Sequence, residues 1–238
     1  MSTDPFDITA TGEYVPEPER DTALIVDGLF ADLARFAREH GYHGDPIPEL
    51  HARLIELEAA DAARVIDEPA RYNLRMTLAL IVGYRFLLPF VGATASSAVV
   101  RRAFVEPVGE AVRESTRMLL DTAADPFAVM VATVRAREEH AFGRGFVFEH
   151  PVDDDTSYHS DVRHCFYYEV LVAHDAAELA PTMCEFDTNW ITAIDPDRHG
   201  FRFERATTIG RGGTHCPFHF DRTINRGPDP EDPVSTPR

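Results

Sequence analysis

The sequence contains no lysine: all 23 basic residues among its 238 are arginine. Schiff-base chemistry on a lysine amine is therefore excluded, and P-loop nucleotide phosphotransfer is disfavoured for want of its lysine. Positive charge of any kind is scarce, since 40 acidic residues leave a net charge of -17. Such a surface opposes nucleic acids and anionic membranes, so neither is expected as a partner. Cysteine is sparse as well. The three present, Cys165, Cys184 and Cys216, lie 19 and 32 residues apart and form no C-x-x-C. That excludes the thioredoxin and zinc-ribbon signatures and favours reduced thiols over a disulfide framework. There is no H-E-x-x-H, and no H-x-E accompanied by C-x-x-C. No metal or cofactor is expected on these grounds. No positively charged leader precedes an apolar run, and the longest apolar stretch, "TLALIVGY" then "FLLPFVG", is interrupted by Arg85 and Pro89. The expectation is a soluble cytoplasmic protein.

What is present is ample material for a core, with 44% hydrophobic residues. Residues 1–20 and 226–238 are acidic, proline-rich and without periodicity, and are expected to be loose tails. Residues 21–125 read as a helical region. "DTALIVDGLFADLARFAREHG" has an N-cap candidate in Asp21, apolar residues Leu24, Leu29, Leu33 and Phe36 near helical spacing, and a stop in Gly41. "IPELHARLIELEAADAARVID" and "ARYNLRMTLALIVGYRFLLPF" predict further helices, the second buried on most faces and bent or ended by Pro89. Pro107 predicts a kink or a new start, and Asp125-Pro126 opens another helix.

Residues 126–225 change character after Gly143. "RGFVFEHPV" reads as a strand, "DDDTSYHSD" as a polar loop, and "VRHCFYYEVLVAHD" as a strand-like start with a helix-like remainder. "APTMCEFDTNWITAID" fits a helix with Pro181 in its first turn. "FRFERATTIG" and "HCPFHFDR" alternate like half-buried strands, joined through "GRGGT" as a hairpin.

Each cysteine has a neighbour able to alter a thiol: His164 beside Cys165, Asp187 one helical turn after Cys184, His215 beside Cys216. Adjacent strand residues face opposite ways, which weakens the His-Cys pairs, whereas an i,i+3 pair shares a helix face. Free cysteine is also among the most buried residue types, so each could equally be core. The eleven histidines are expected mostly as surface or hydrogen-bonded structural residues. "GRGGT" connects strands and does not open a helix, so it reads as a turn before a phosphate cradle.

Over roughly residues 127–222, and most closely from Asp161 to Phe220, the order of segments resembles the C-terminal half of the L-2-amino-thiazoline-4-carboxylic acid hydrolase family. The resemblance is carried by Asp161, Cys165, the C-x-x-D of Cys184 and Asp187, Phe203, Thr208, the turn Gly212-Gly213, and Cys216 with Phe218. Pro217 stands where an acidic residue would be expected. A glycine turn before C-x-F is also similar to 4-vinyl-reductase and TRAPP-like small-molecule domains. The fold implied is α+β, an N-terminal helical region packed on a C-terminal antiparallel sheet with covering helices. The activity implied is opening of a cyclic amidine, or cleavage of its C–N bond, in a small amino-acid-derived substrate, giving a carbamoyl-cysteine from 2-aminothiazoline-4-carboxylate. The three cysteines should then approach one pocket. Cys184, expected in the first turn of its helix, would be the nucleophile and Asp187 the proton-transfer group. Cys165, Cys216 and His215 would be further catalytic candidates. Arg163, Arg205 and Arg211, with Gly212 and Gly213, would bind the substrate carboxylate. Two alternatives remain open, a non-catalytic small-molecule sensor and a metal-dependent hydrolase with the cysteines as ligands, as does association into a homo-oligomer.

Overall fold

The computed structural model describes residues 17–223, so the two expected tails lie almost wholly outside the described residues. The architecture is α+β. Helices α1 (Pro18–Glu39), α2 (Ile47–Ala60), α3 (Glu68–Val105), α4 (Gly109–Thr122) and α5 (Pro126–Arg137) precede a mixed second half. There β1 (Val147–Asp153) and β2 (Ser157–His164) are followed by α6 (Phe166–Ala173), α7 (Ala180–Phe186), α8 (Thr188–Ile191), α9 (Pro196–His199), β3 (Phe201–Glu204) and β4 (Cys216–Arg222).

Helix α1 begins earlier than Asp21 predicts. Pro18 occupies its first turn, where a missing N–H costs nothing, and Glu17 takes the cap position without a side-chain hydrogen bond. Its buried stripe runs through Ile25, Val26, Leu29, Phe30 and Leu33, while Leu24 is exposed at 40%. The chain leaves the helix at His40, followed by Gly41 at φ 87°. Helix α3 packs against this stripe and runs through Pro89. Its break comes at Gly92, whose φ 75° and ψ 171° are open essentially to glycine alone. Together α3 and α4 form the one stretch among the described residues with the length and hydropathy of a membrane-crossing helix, and half of its most apolar window is buried inside the protein. Asp125 caps α5 as expected, accepting from the Ala128 N–H at 3.1 Å.

The sheet is antiparallel throughout, in the order β1-β2-β4-β3. The β1–β2 register is irregular between Glu149 and Val152, where Pro151 has no N–H to give. Much of "DDDTSYHSD" is not a loop: from Ser157 onward it is β2. Its alternation sends Tyr158, Ser160 and Val162 inward, opposite Phe220, Phe218 and Cys216 of β4. The outward residues pair among themselves. His159 and His219 stack with ring centroids 3.9 Å apart, and Asp161 Oδ1 lies 3.0 Å from His219 Nε2. The β3–β4 hairpin forms, but β3 ends at Glu204 and residues 205–215 connect it to β4 through a short 3-10 turn, Ile209–Arg211. A large apolar cluster draws on α1, α3, α6, α7 and Cys216. A smaller one gathers Leu120, Phe127, Met130, Tyr158, Phe201 and Phe220 beneath the β3–β4 edge.

Candidate active site

A cavity of about 260 Å³ lies between the helices and the inward face of the sheet, and Cys165, Cys184 and Cys216 all line it. Three different elements deliver them. Cys165 is the N-cap residue of α6, where β2 turns into the helix. Cys184 sits in the second turn of α7, not the first. Helix α7 starts at Ala180, directly after the 3-10 turn Ala177–Leu179, so Cys184 is its fifth residue and lies beyond the first turn, where the dipole advantage expected for it is greatest. Cys216 opens β4, and its Sγ accepts the Ile209 N–H at 3.1 Å, which fastens the connecting loop to the sheet.

Burial dominates the thiol chemistry. It pushes Cys165 up to about 12, against an opposing pull from the Tyr168 and Tyr167 backbone N–H groups. It pushes Cys216 up to about 11, partly offset by the Ile209 N–H. Both are therefore held as neutral thiols at ordinary pH.

Asp187, between α7 and α8, lines the same cavity as Cys184. Its carboxylate accepts from Arg205 Nη1 at 2.5 Å and from Trp190 Nε1 at 3.2 Å. Arg205 also donates to the Cys184 carbonyl oxygen at 2.9 Å and lies over the Phe218 ring, 5.1 Å from its centroid. Arg205, a candidate for binding a substrate carboxylate, thus lines the cavity already paired with Asp187. Other expectations do not meet there. Arg163 points outward to Glu149 at 2.6 Å and Asp161 at 3.1 Å. Strand alternation puts it on the face opposite Val162. Arg211 is exposed in the 3-10 turn, and Gly212 after it is exposed with φ 87°. His215 lies 3.8 Å from Asp161 on the outer face. Gly213, with Arg163, borders a separate surface depression that touches Cys165.

Several lining residues were not marked as site residues by their sequence neighbourhood. Gly210 is the glycine that matters for close approach: a Cβ there would fall 2.8 Å from Cys184 Sγ and 3.0 Å from the Ala180 backbone. Thr208 is 4% exposed, and its Oγ1 has no hydrogen-bond partner. Of the buried side-chain polar atoms among the described residues, it and Ser96 Oγ are the two without a partner. Tyr167 donates to Asn73 Oδ1 at 2.9 Å, and Asn73 Nδ2 donates to the Ala141 and Phe142 carbonyls at 2.9 and 3.2 Å. Burial drives the Tyr167 phenol far above its usual range, so it serves as a neutral hydrogen-bonding group. Glu138 is held by Ser160 Oγ at 2.6 Å and lies 2.8 Å from His150 Nε2. Among the described residues no three His, Cys, Asp or Glu side chains are grouped so that they could hold a metal ion. The three cysteines therefore share a cavity without forming a ligand set.

A family model described as L-2-amino-thiazoline-4-carboxylic acid hydrolase matches residues 72–220, well over half of the chain. The match begins in α3, so it takes in helices as well as the cysteine-bearing elements. No curated protein and no solved structure matches the chain. The expected kinship with 4-vinyl-reductase and TRAPP-like domains rests on the glycine turn before Cys216 alone.

Proposed function

The chain belongs to the L-2-amino-thiazoline-4-carboxylic acid hydrolase family, and from that premise we propose that its cavity hydrolyses a cyclic amidine carboxylate by attack of the Cys184 sulfur. The observation that carries this reading is the convergence of three cysteines and the Asp187–Arg205 pair on one cavity. An amidine is cationic and a carboxylate anionic. A paired Asp and Arg offers one partner to each end of such a zwitterion, exchanging one ion pair for two. Cys184 is favoured among the three sulfurs because it lines the cavity together with Asp187, three residues on.

In this mechanism Asp187 takes the Cys184 proton as the sulfur adds to the amidine carbon. A ring bond at that carbon then breaks, and Asp187 returns the proton to the leaving atom. Water cleaves the bond between Cys184 and the carbon, releasing the ring-opened product and restoring the thiol. The net change is addition of one water. Thr208 Oγ1 supplies a hydrogen bond to the ligand that it lacks within the protein.

The test is mass spectrometry of 2-aminothiazoline-4-carboxylate incubated with the protein and with Cys184→Ser. Appearance of the hydrated product, lost in the variant at unchanged melting temperature, supports the mechanism. Retention of the unaltered compound supports a sensor, and full activity in Cys184→Ser removes Cys184 as the nucleophile.

A further inference from the structure

The cavity reaches further than a bare aminothiazoline ring requires. The ionic pair and the unpaired Thr208 hydroxyl lie with the cysteines. From there the space continues between α1, α4 and α5, where Ile25, Leu119, Met130 and Val134 form the wall. Asp21, Ser115 and Arg137 also line the cavity, while other polar groups of this chamber are turned away from a ligand or already met. Thr116 Oγ1 donates to the Val112 carbonyl at 2.8 Å and Thr133 Oγ1 to the Val129 carbonyl at 2.9 Å. The carboxylate of Glu138 is already met by Ser160 at 2.6 Å. Water gains little against the wall of Ile25, Leu119, Met130 and Val134, since a buried water wants about two to four polar partners. Hydrocarbon fits it, and binding sites of this kind combine an apolar body with a few convergent polar groups.

We infer that this chamber receives an apolar substituent of the substrate, so that the substrate class is a cyclic amidine carboxylate bearing an aryl or medium-length alkyl arm. The inference rests on the hydrolase reading above. Carboxylate and amidine lie against Arg205 and Asp187, the reacting carbon faces Cys184, and the arm extends toward Met130 and Val134.

Trp190 is the only tryptophan of the chain and lines the cavity, so its emission reports occupancy directly. The full chain is titrated with 2-aminothiazoline-4-carboxylate and with its exocyclic N-benzyl and N-hexyl derivatives, and turnover of each is followed by mass spectrometry. We expect the derivatives to bind about tenfold tighter or better, with kcat/KM higher by a similar factor, as burial of several methylenes implies. Thr133→Phe, which fills the chamber, should lower the derivative-to-parent ratio of kcat/KM at least about tenfold. Thr116→Leu, a smaller intrusion into the same space, carries the test if Thr133→Phe does not fold. Equal affinity and equal kcat/KM for parent and derivatives would overturn the inference and leave the hydrolase reading standing. Tight binding of the derivatives with hydrolysis of none of the three would do the reverse. Absence of any Trp190 response to all three compounds overturns the chamber.

Discussion

Thr208 is the residue at which stability and activity should separate. Its hydroxyl is buried and unpaired, and removing a group that folding leaves unsatisfied is neutral or favourable. Thr208→Val is therefore expected to hold or raise stability by about 1 kcal/mol in urea unfolding while kcat/KM falls about tenfold, the value of one lost transition-state hydrogen bond. Cys216 should behave oppositely. Its sulfur satisfies the Ile209 N–H and packs in the main core, so Cys216→Ala should cost about 1–3 kcal/mol on the same measurement. Iodoacetamide labelling read by mass spectrometry at pH 8 should reach Cys184 before the two thiols that burial keeps protonated. That the cysteines, Asp187 and Arg205 line one cavity was legible from the order of their segments, which resembles the family. Tyr167 and Asn73 were not, since their bond joins positions 94 residues apart. Arg163 and Arg211 misled for a related reason: nearness in sequence does not say which face of a strand or turn a side chain leaves from.

At the scale of elements, the loop before β4 depends on how closely it can approach α7. Gly210→Ala would drive a methyl into Cys184 Sγ and the Ala180 backbone. The backbone cannot yield as a flexible side chain would, so we expect a loss of about 1–3 kcal/mol and a turnover defect that exceeds the loss of folded protein, because Cys184 itself is displaced. Circular dichroism melts with activity measured on the same samples separate the two. Gly92→Ala meets no neighbouring atom, yet should cost about 1–3 kcal/mol from backbone strain alone. The helices were readable because a 3.6-residue apolar period survives capping errors, as α1 shows despite its early start. The first part of strand β2 was hidden because its outward positions carry Ser157, His159 and Asp161, a loop-like composition. What stabilises them there is pairing across the strand, as between His159 and Asp221 at 3.0 Å, which no local reading contains.

For the whole molecule the charged groups define a window of stability. Hydrogen bonding from Arg222 holds Asp125 below the usual carboxylate range, and Arg101 does the same for Glu185. A carboxyl whose folded pKa is depressed adds stability above its unfolded pKa of about 4, and that stability is lost as pH falls through the folded value. The thiols act in the other sense. Cys165 and Cys216 are raised to about 12 and about 11, so their contribution is complete below about 8.5 and lost as pH climbs through the folded values. Urea midpoints should thus be level from about pH 5 to 8 and fall on both sides, with a gentler alkaline limb in Cys165→Ala. The order of the sheet has a further consequence, in time. Strand β4 is the last of the four along the chain yet lies between β2 and β3. While the chain is being synthesised, α1 to α3 can pack early, but β2 has an open edge until β4 follows about fifty residues later. At about 5–20 residues per second that interval lasts roughly three to ten seconds. For that time the nascent protein carries an unpaired strand edge able to join another chain. The cavity and the protection against aggregation are then completed by the same strand, in a single late step.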